Sequence, residues 1–122
     1  MKKAAWKRKI KEATKAAGTY EEYFDNVIDT LAQMLEDRDT TREAYIRTGA
    51  NPVIAHTNKG GATNLVKNPL LVVINDINGT ALAYWRDLGL TPAGFKKLTG
   101  TAPDAKKKEG GGLEDILKRL DI

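Results

Sequence analysis

The sequence predicts a mainly α-helical domain, built on an antiparallel helical hairpin with a short β-hairpin inserted between its two helices. Three observations predict this fold class. Apolar residues recur at intervals of three and four, the spacing of one face of an α-helix, over most of residues 3–48 and 69–98. Helix-starting and helix-ending residues separate these stretches. An Asn- and Gly-rich turn lies between two short runs that contain β-branched residues, which is typical of a hairpin.

Composition limits the possible classes of protein. The 122 residues suffice for one compact core, and no stretch approaches the ~18 uncharged apolar residues that a membrane span requires. With no cysteine and a single histidine, the chain offers neither disulfides nor a usual zinc site. These residues also do not supply a convincing nucleophile, base and orienting group. We therefore expect a cytosolic protein with no metal, no cofactor and no catalytic residue.

A first helix is predicted over residues 3–17, which lack Pro and Gly and carry Trp6, Ile10 and Ala13 at helical spacing. Residues 1–18 hold seven Lys or Arg and one Glu. Lysines at every fourth position form a band beside the apolar stripe. This band can neutralise DNA phosphates or pair with acidic residues of the next helix, and both alternatives remain open. The candidate DNA-binding residues here are Lys2, Lys3, Lys7, Arg8, Lys11 and Lys15.

A second helix is predicted to begin at Thr19, which forms a capping-box pattern with Glu22, and to continue to about Thr48. Residues 19–49 hold eight Asp or Glu and three Lys or Arg, so acidic and basic charge are segregated. Arginines on the apolar stripe indicate a contact edge, because an unpaired buried charge is costly. The candidate core and oligomerisation residues of this helix are Tyr20, Phe24, Val27, Leu31, Leu35, Arg38, Arg42 and Tyr45.

The β-hairpin is predicted over about residues 52–67, with its turn at Asn58-Lys59-Gly60-Gly61. Lys59 is a candidate DNA contact at the tip, the alternative being a simple turn. Asn68-Pro69 supplies the N-cap and first residue of a third helix. Its apolar stripe is also assigned to core and oligomerisation, and comprises Leu70, Ile74, Ile77 and Trp85.

The last part of the chain is predicted to hold a short helix, a linker and a second short helix. The first short helix begins at Thr91-Pro92. Its Lys96 and Lys97 are candidate DNA contacts, because they follow a corner as DNA-contacting residues do in a helix-turn-helix motif. The alternative is that this helix is a structural cap. Residues 101–112 have little apolar content and predict a flexible linker. Residues 113–122 predict an amphipathic helix that needs a surface to dock on. Its apolar face comprises Leu113, Ile116, Leu117 and Leu120.

Two motifs carry a resemblance to a known family. The first motif is Asn68-Pro69-Leu70-Leu71. After one helix comes the second, Trp85-Arg86-Asp87-Leu88-Gly89-Leu90-Thr91-Pro92-Ala93-Gly94-Phe95. In this order and spacing, the chain resembles the small subunits of phage terminases over roughly residues 19–98. The resemblance implies a homo-oligomeric ring in the host cell cytoplasm, without an active site. It implies double-stranded viral DNA and the large terminase subunit, an ATPase and nuclease, as partners.

The resemblance also suggests a division of the chain into functional parts. Residues 1–18 are then a basic helix, 19–100 the helical core and oligomerisation domain, and 113–122 the partner-binding helix. Two other classes fit the same residues. A helix-turn-helix transcription regulator would use the Thr91-Pro92 corner and form a dimer. A structural phage adaptor would show no salt-dependent affinity for DNA.

Overall fold

The computed structural model describes residues 1–101, which form four α-helices and one β-hairpin. Helix α1 spans Lys3–Ala17, α2 Asp25–Arg47, α3 Pro69–Asp87 and α4 Pro92–Thr99. Strands β1, Val53–Thr57, and β2, Thr63–Lys67, pair antiparallel between α2 and α3. The prediction of a mainly helical fold with a small two-stranded sheet is confirmed. The predicted C-terminal helix, and all but the first residue of the predicted linker, lie outside the described residues.

Helix α2 is the centre of the fold, because α1 and α3 both pack against it. The helices α2 and α3 are antiparallel, as their end contacts show. Just after α2, the backbone carbonyl of Asn51 accepts a hydrogen bond from the side chain of Asn68, the N-cap of α3 (2.9 Å). At the other end, Thr19, which precedes α2, donates to the carbonyl of Leu88 after α3 (2.9 Å). The predicted helical hairpin is therefore present within one chain.

The core is formed by apolar residues of all four helices. Leu31 and Leu35 of α2 and Ile74 of α3 are fully buried, as their stripes predict. Ile28 and Ala32 are also fully buried, so the buried face of α2 is wider than the stripe predicted from the sequence. The cluster comprises Trp6, Ile10, Ala13, Ala17, Ile28, Leu31, Ala32, Leu35, Ala81, Trp85, Leu88, Leu90 and Phe95.

The start of α2 differs from the predicted capping box. A 3-10 turn at Glu22–Phe24 precedes the helix, which begins at Asp25, and Thr19 does not accept a hydrogen bond from its first turn. Thr19 is buried and its hydroxyl donates to Leu88 instead. The capping-box prediction was wrong because the carbonyls at a helix end also need donors. Here the hydroxyl serves the end of α3 and not the beginning of α2.

The other two predicted N-caps are confirmed. The side chain of Asn68 accepts from the backbone amide of Leu70 (3.0 Å), and that of Thr91 accepts from Gly94 (3.1 Å). In both helices the next residue is a proline, whose missing amide costs nothing at this position. The corner between α3 and α4 is therefore specified by local sequence.

Candidate nucleic-acid interface

Three lysines of α1 form an ionic seam with two aspartates of α2. The ammonium of Lys3 lies 3.0 Å from Asp29, and that of Lys11 lies 2.9 Å from Asp25. Lys7 lies between both carboxylates, 3.3 Å from Asp29 and 3.5 Å from Asp25. We call these five residues the ionic seam. The segregated charges of the first two helices therefore meet inside one chain, which is one of the two alternatives left open by the sequence.

The ionic seam shifts the pKa values of Asp25, Asp29 and Lys11. The close contact with the Lys11 ammonium holds the pKa of Asp25 below its ordinary value, and Asp25 in turn raises the pKa of Lys11. Lys3 and then Lys7 lower the pKa of Asp29 in the same way. Each shift favours the charged form of the group. The ionised forms of Asp25, Asp29 and Lys11 are therefore favoured by the contacts that pair α1 with α2.

A second polar cluster fixes the beginning of α1. The indole of Trp6 donates to Asp39 (2.8 Å), whose other oxygen lies 3.2 Å from the guanidinium of Arg38. Arg38 also donates to Asn78 of α3 (3.2 Å) and lies over the Trp6 ring, 5.5 Å from its centroid. Burial opposes the ionisation of Asp39, but hydrogen bonds from Trp6, the N-terminal ammonium and Arg38 together hold its pKa below the ordinary value. Arg38, predicted at a contact edge, thus joins all three long helices of the chain.

The outward face of α1 carries basic residues that are exposed to solvent. Lys2, Arg8 and Lys15 are exposed, and Lys15 lies over the ring of Tyr20 with its ammonium 5.1 Å from the centroid. A shallow groove of about 430 Å³ follows this face. It is lined by Ala4, Lys7, Arg8, Lys11, Glu12 and Lys15. The members of the predicted basic band thus differ in availability, since those of the seam are already paired.

The remaining candidate DNA contacts lie at opposite ends of the helical hairpin. Lys59 is exposed at the turn of the β-hairpin, at the end where α2 stops and α3 begins. Lys96 and Lys97 are exposed on α4, at the other end. The structure therefore distributes the predicted DNA-binding residues over three separate regions of a single subunit.

The predicted oligomerisation residues fall into two groups in a single chain. The buried ones are Leu31, Leu35, Tyr45, Ile74 and Trp85. Those that are partly or fully exposed are Tyr20, Phe24, Val27, Arg38, Arg42, Leu70 and Ile77. Arg42 lies over the ring of Tyr45, 5.6 Å from its centroid. The buried group packs within its own subunit, and a role for either group between subunits stays a prediction.

Several exposed apolar residues were not among the predicted oligomerisation residues. Val72, Val73 and Leu82 on α3 are each at least 39% exposed, as is Ile46 on α2. The high apolar content of residues 70–74 was the available signal. It was too uniform to indicate which side chains face the subunit's own core and which face outward.

No group of His, Cys, Asp and Glu side chains within residues 1–101 is arranged to hold a metal ion. His56 is exposed on β1, opposite Asn64. In the same part of the chain, none of the helices is long and apolar enough to cross a membrane.

Fold and site together define the class: a small, mainly helical protein that exposes basic side chains on its surface. The chain matches the family described as phage terminase, small subunit, over residues 3–105, and it belongs to that family. The match confirms the resemblance and extends it to α1. The family is generally non-catalytic and has a role in phage packaging, with DNA and the large terminase as the partners it implies. Neither the curated proteins nor the solved structures gave a match.

Proposed function

We propose that this chain is the small terminase subunit of a tailed double-stranded DNA phage. It binds viral DNA in the host cytoplasm and recruits and regulates the large subunit, which carries the ATPase and nuclease, while it catalyses no reaction itself. Family membership over most of the chain is the observation that carries this proposal. The surface chemistry agrees with it, because the charged residues described above suit the positioning of a polyanion.

DNA binding in this proposal relies first on basic residues outside the ionic seam. Exposed Lys and Arg side chains can release counterions from DNA phosphates without giving up an existing ion pair. Lys3, Lys7 and Lys11 contribute only where a phosphate replaces their carboxylates. The residues proposed to contact DNA directly are Lys2, Arg8, Lys15, Lys59, Lys96 and Lys97.

A ring is supported by the two flanks of α3. At about 100° per residue, Val73 lies roughly 100° to one side of the buried Ile74 and Leu82 roughly 80° to the other. Both are more than 40% exposed. In a ring of three or more copies, each copy meets its neighbours through two different surfaces. Exposed apolar residues on both flanks of one helix suit that arrangement, in which α3 of one copy packs beside α3 of the next.

Contact with the large subunit is assigned to residues 113–122, outside the described part of the chain. The apolar spacing of Leu113, Ile116, Leu117 and Leu120 suits a helix that docks in a groove. A chain ending at residue 112 should keep its oligomeric mass and DNA affinity but lose capture of the large subunit. Undiminished capture by the shortened chain would contradict this assignment.

The main proposal is tested by measuring the affinity of the protein for DNA and the mass of its oligomer. Fluorescence anisotropy of a labelled viral DNA duplex, titrated with protein at 50 and at 200 mM salt, should show an affinity that falls by at least tenfold, as expected from several phosphate contacts. Light scattering and electron microscopy should show closed rings. A monodisperse monomer, or no salt-dependent affinity, would contradict the proposal.

A helix-turn-helix transcription regulator remains the second candidate, because the α3–α4 corner is well formed and exposes Lys96 and Lys97 on its second helix. This alternative requires a dimer and one short operator sequence. A dimeric mass together with a single protected site in a footprint would favour it over the packaging role.

A further inference from the structure

The β-hairpin stands apart from the helical body. Its two strands contact each other but make almost no contact with the helices. Among the strand residues only Ile54 and Val66 are half-buried, and the others are exposed. A two-stranded hairpin alone is marginally stable in water. An element with so little support from a core is therefore suited to contact something outside the subunit.

Local hydrogen bonds order the tip of this hairpin. The side-chain oxygen of Asn58 accepts from the backbone amides of Gly60 (2.9 Å) and Ala62 (3.1 Å). The hydroxyls of Thr57 and Thr63 face each other across the last pair of the sheet, 2.9 Å apart. These bonds give the turn a defined shape, with Lys59 at its outer end. A preordered polar tip loses little conformational entropy on binding.

The charged residues of the hairpin and its flanking segments are all basic. Residues 44–75 contain no Asp or Glu, although the whole chain has 16 of them. The same stretch carries Arg47, Lys59 and Lys67, together with His56. Because no acidic side chain of the hairpin opposes these cations, the arm is electrostatically complementary to a polyanion.

The side chains also change in character along the hairpin. Apolar residues such as Val53 and Val66 lie in the rungs next to the helices, whereas His56, Asn64 and the paired threonines lie towards the tip. Hydroxyl, amide and imidazole groups can hydrogen-bond to phosphates and base edges. A two-stranded β-ribbon is also narrow enough to enter the major groove of B-DNA.

We propose that the β-hairpin is an arm that contacts duplex DNA, with its tip in the major groove and Lys59 on the phosphate backbone. This inference rests on the proposed function and names the element that performs its DNA contact. The charge and the polar tip favour DNA over a neighbouring subunit as the occupant of this surface.

The first test removes the charge at the tip. Lys59→Gln should lower the affinity for a DNA duplex and reduce the slope of log affinity against log salt by about 1 for each arm engaged. Lys59→Glu should weaken binding by roughly tenfold or more, and Lys59→Arg should restore it. The control is Lys9→Gln, which removes the same charge from α1, where the Lys9 ammonium lies over the Trp6 ring. An equal loss in the control would overturn the inference.

The second test locates the tip on DNA. The chain has no cysteine, so Lys59→Cys provides a single site for an iron chelate that cleaves nearby DNA. Cleavage should cluster at positions that face one groove of the DNA. The control is a chelate at Thr40→Cys, on the exposed surface of α2, which should not give this pattern. Oligomeric mass is measured for every variant. A Lys59→Glu protein that loses its assembly would identify a subunit contact and overturn the inference.

The outcomes separate this inference from the proposed function. In one outcome the unsubstituted protein binds DNA with salt dependence, the Lys59 variants bind equally well, and the chelate at Lys59→Cys cleaves no DNA. The hairpin assignment then fails and the packaging proposal stands. If the unsubstituted protein shows no affinity for DNA, both fail.

Discussion

At the scale of single residues, Gly94 shows how a short helix is held against its neighbour. A Cβ atom at this position would lie 2.0 Å from the backbone oxygen of Arg86, and backbone atoms of a packed helix have little freedom to move away. Gly79, in the middle of α3, is the opposite case, because a Cβ atom there would meet nothing within 4 Å in the single chain. The same residue type therefore has different roles at the two positions.

Substitution of these glycines should have opposite effects. Gly94→Ala should lower the free energy of unfolding by about 2–3 kcal/mol, since the added methyl group forces α4 away from α3. Gly79→Ala should raise it by about 0.5–1 kcal/mol, because alanine is the better helix former. Urea unfolding followed by circular dichroism measures both. A neutral Gly94→Ala would contradict the close packing of the corner.

At the scale of elements, the ionic seam decides how α1 is held on α2. Buried apolar residues such as Trp6 and Ile10 provide the non-directional part of this contact. The lysine–aspartate pairs also stabilise this contact, but only while their carboxylates are ionised. Surface pairs of this kind contribute modestly and weaken with salt. Docking of α1 should therefore depend on pH and ionic strength more than the packing of α3 does.

The lowered pKa values of Asp25 and Asp29 predict the direction in which stability changes with pH. A carboxylate with a lowered folded-state pKa adds stability above its ordinary value of 3.8, and that contribution is lost as pH falls through the lowered pKa. We expect the melting temperature to fall below about pH 4. The Asp25→Asn, Asp29→Asn double variant should fall less steeply, as measured by circular dichroism. Asp76→Asn, outside the seam, is the control, and equal flattening there would contradict the role of the seam.

At the scale of the whole molecule, one chain already buries the central residues of the apolar stripes of α2 and α3, such as Leu31, Leu35 and Ile74. The exposed apolar residues on the flanks of α3 are among those available for contacts between copies. Because the flanks carrying Val73 and Leu82 differ, a contact between them in the proposed ring is heterologous and recurs at every interface. In the proposed assembly, stability of the subunit and stability of the ring are therefore separable properties.

Two aspartate substitutions test this arrangement. Val73→Asp and Leu82→Asp should each give folded monomers, because every interface then contains one charged flank. Mixing the two variants should give heterodimers, since the intact flank of one matches the intact flank of the other. Light scattering after size exclusion measures the mass. Val72→Asp, on the outward side between the flanks, is the control, and loss of the ring in that variant would indicate a face-to-face contact instead.

Local features of this protein were predictable from its sequence. The N-caps Asn68 and Thr91, the turn at Lys59 and the bounds of α1 depend on residues within about four positions of each other, and such interactions are present in the sequence pattern itself. The candidate basic residues were recognisable for the same reason. Their availability was not, because the chain brings Lys11 to Asp25 only when α1 folds back on α2.

The sequence by itself determined the four helices of residues 1–101, apart from the start of α2. It also determined the hairpin, the segregation of charge and the family, since composition, spacing and short motifs specify them. Only the tertiary structure decided which partner each group meets. Thr19 donates to Leu88, 69 positions away, and does not accept from the first turn of α2. The lysines of α1 pair with carboxylates, while Val73 and Leu82 stay exposed. The physical reason is that such contacts depend on how the helices pack, and many packings share the same periodicity.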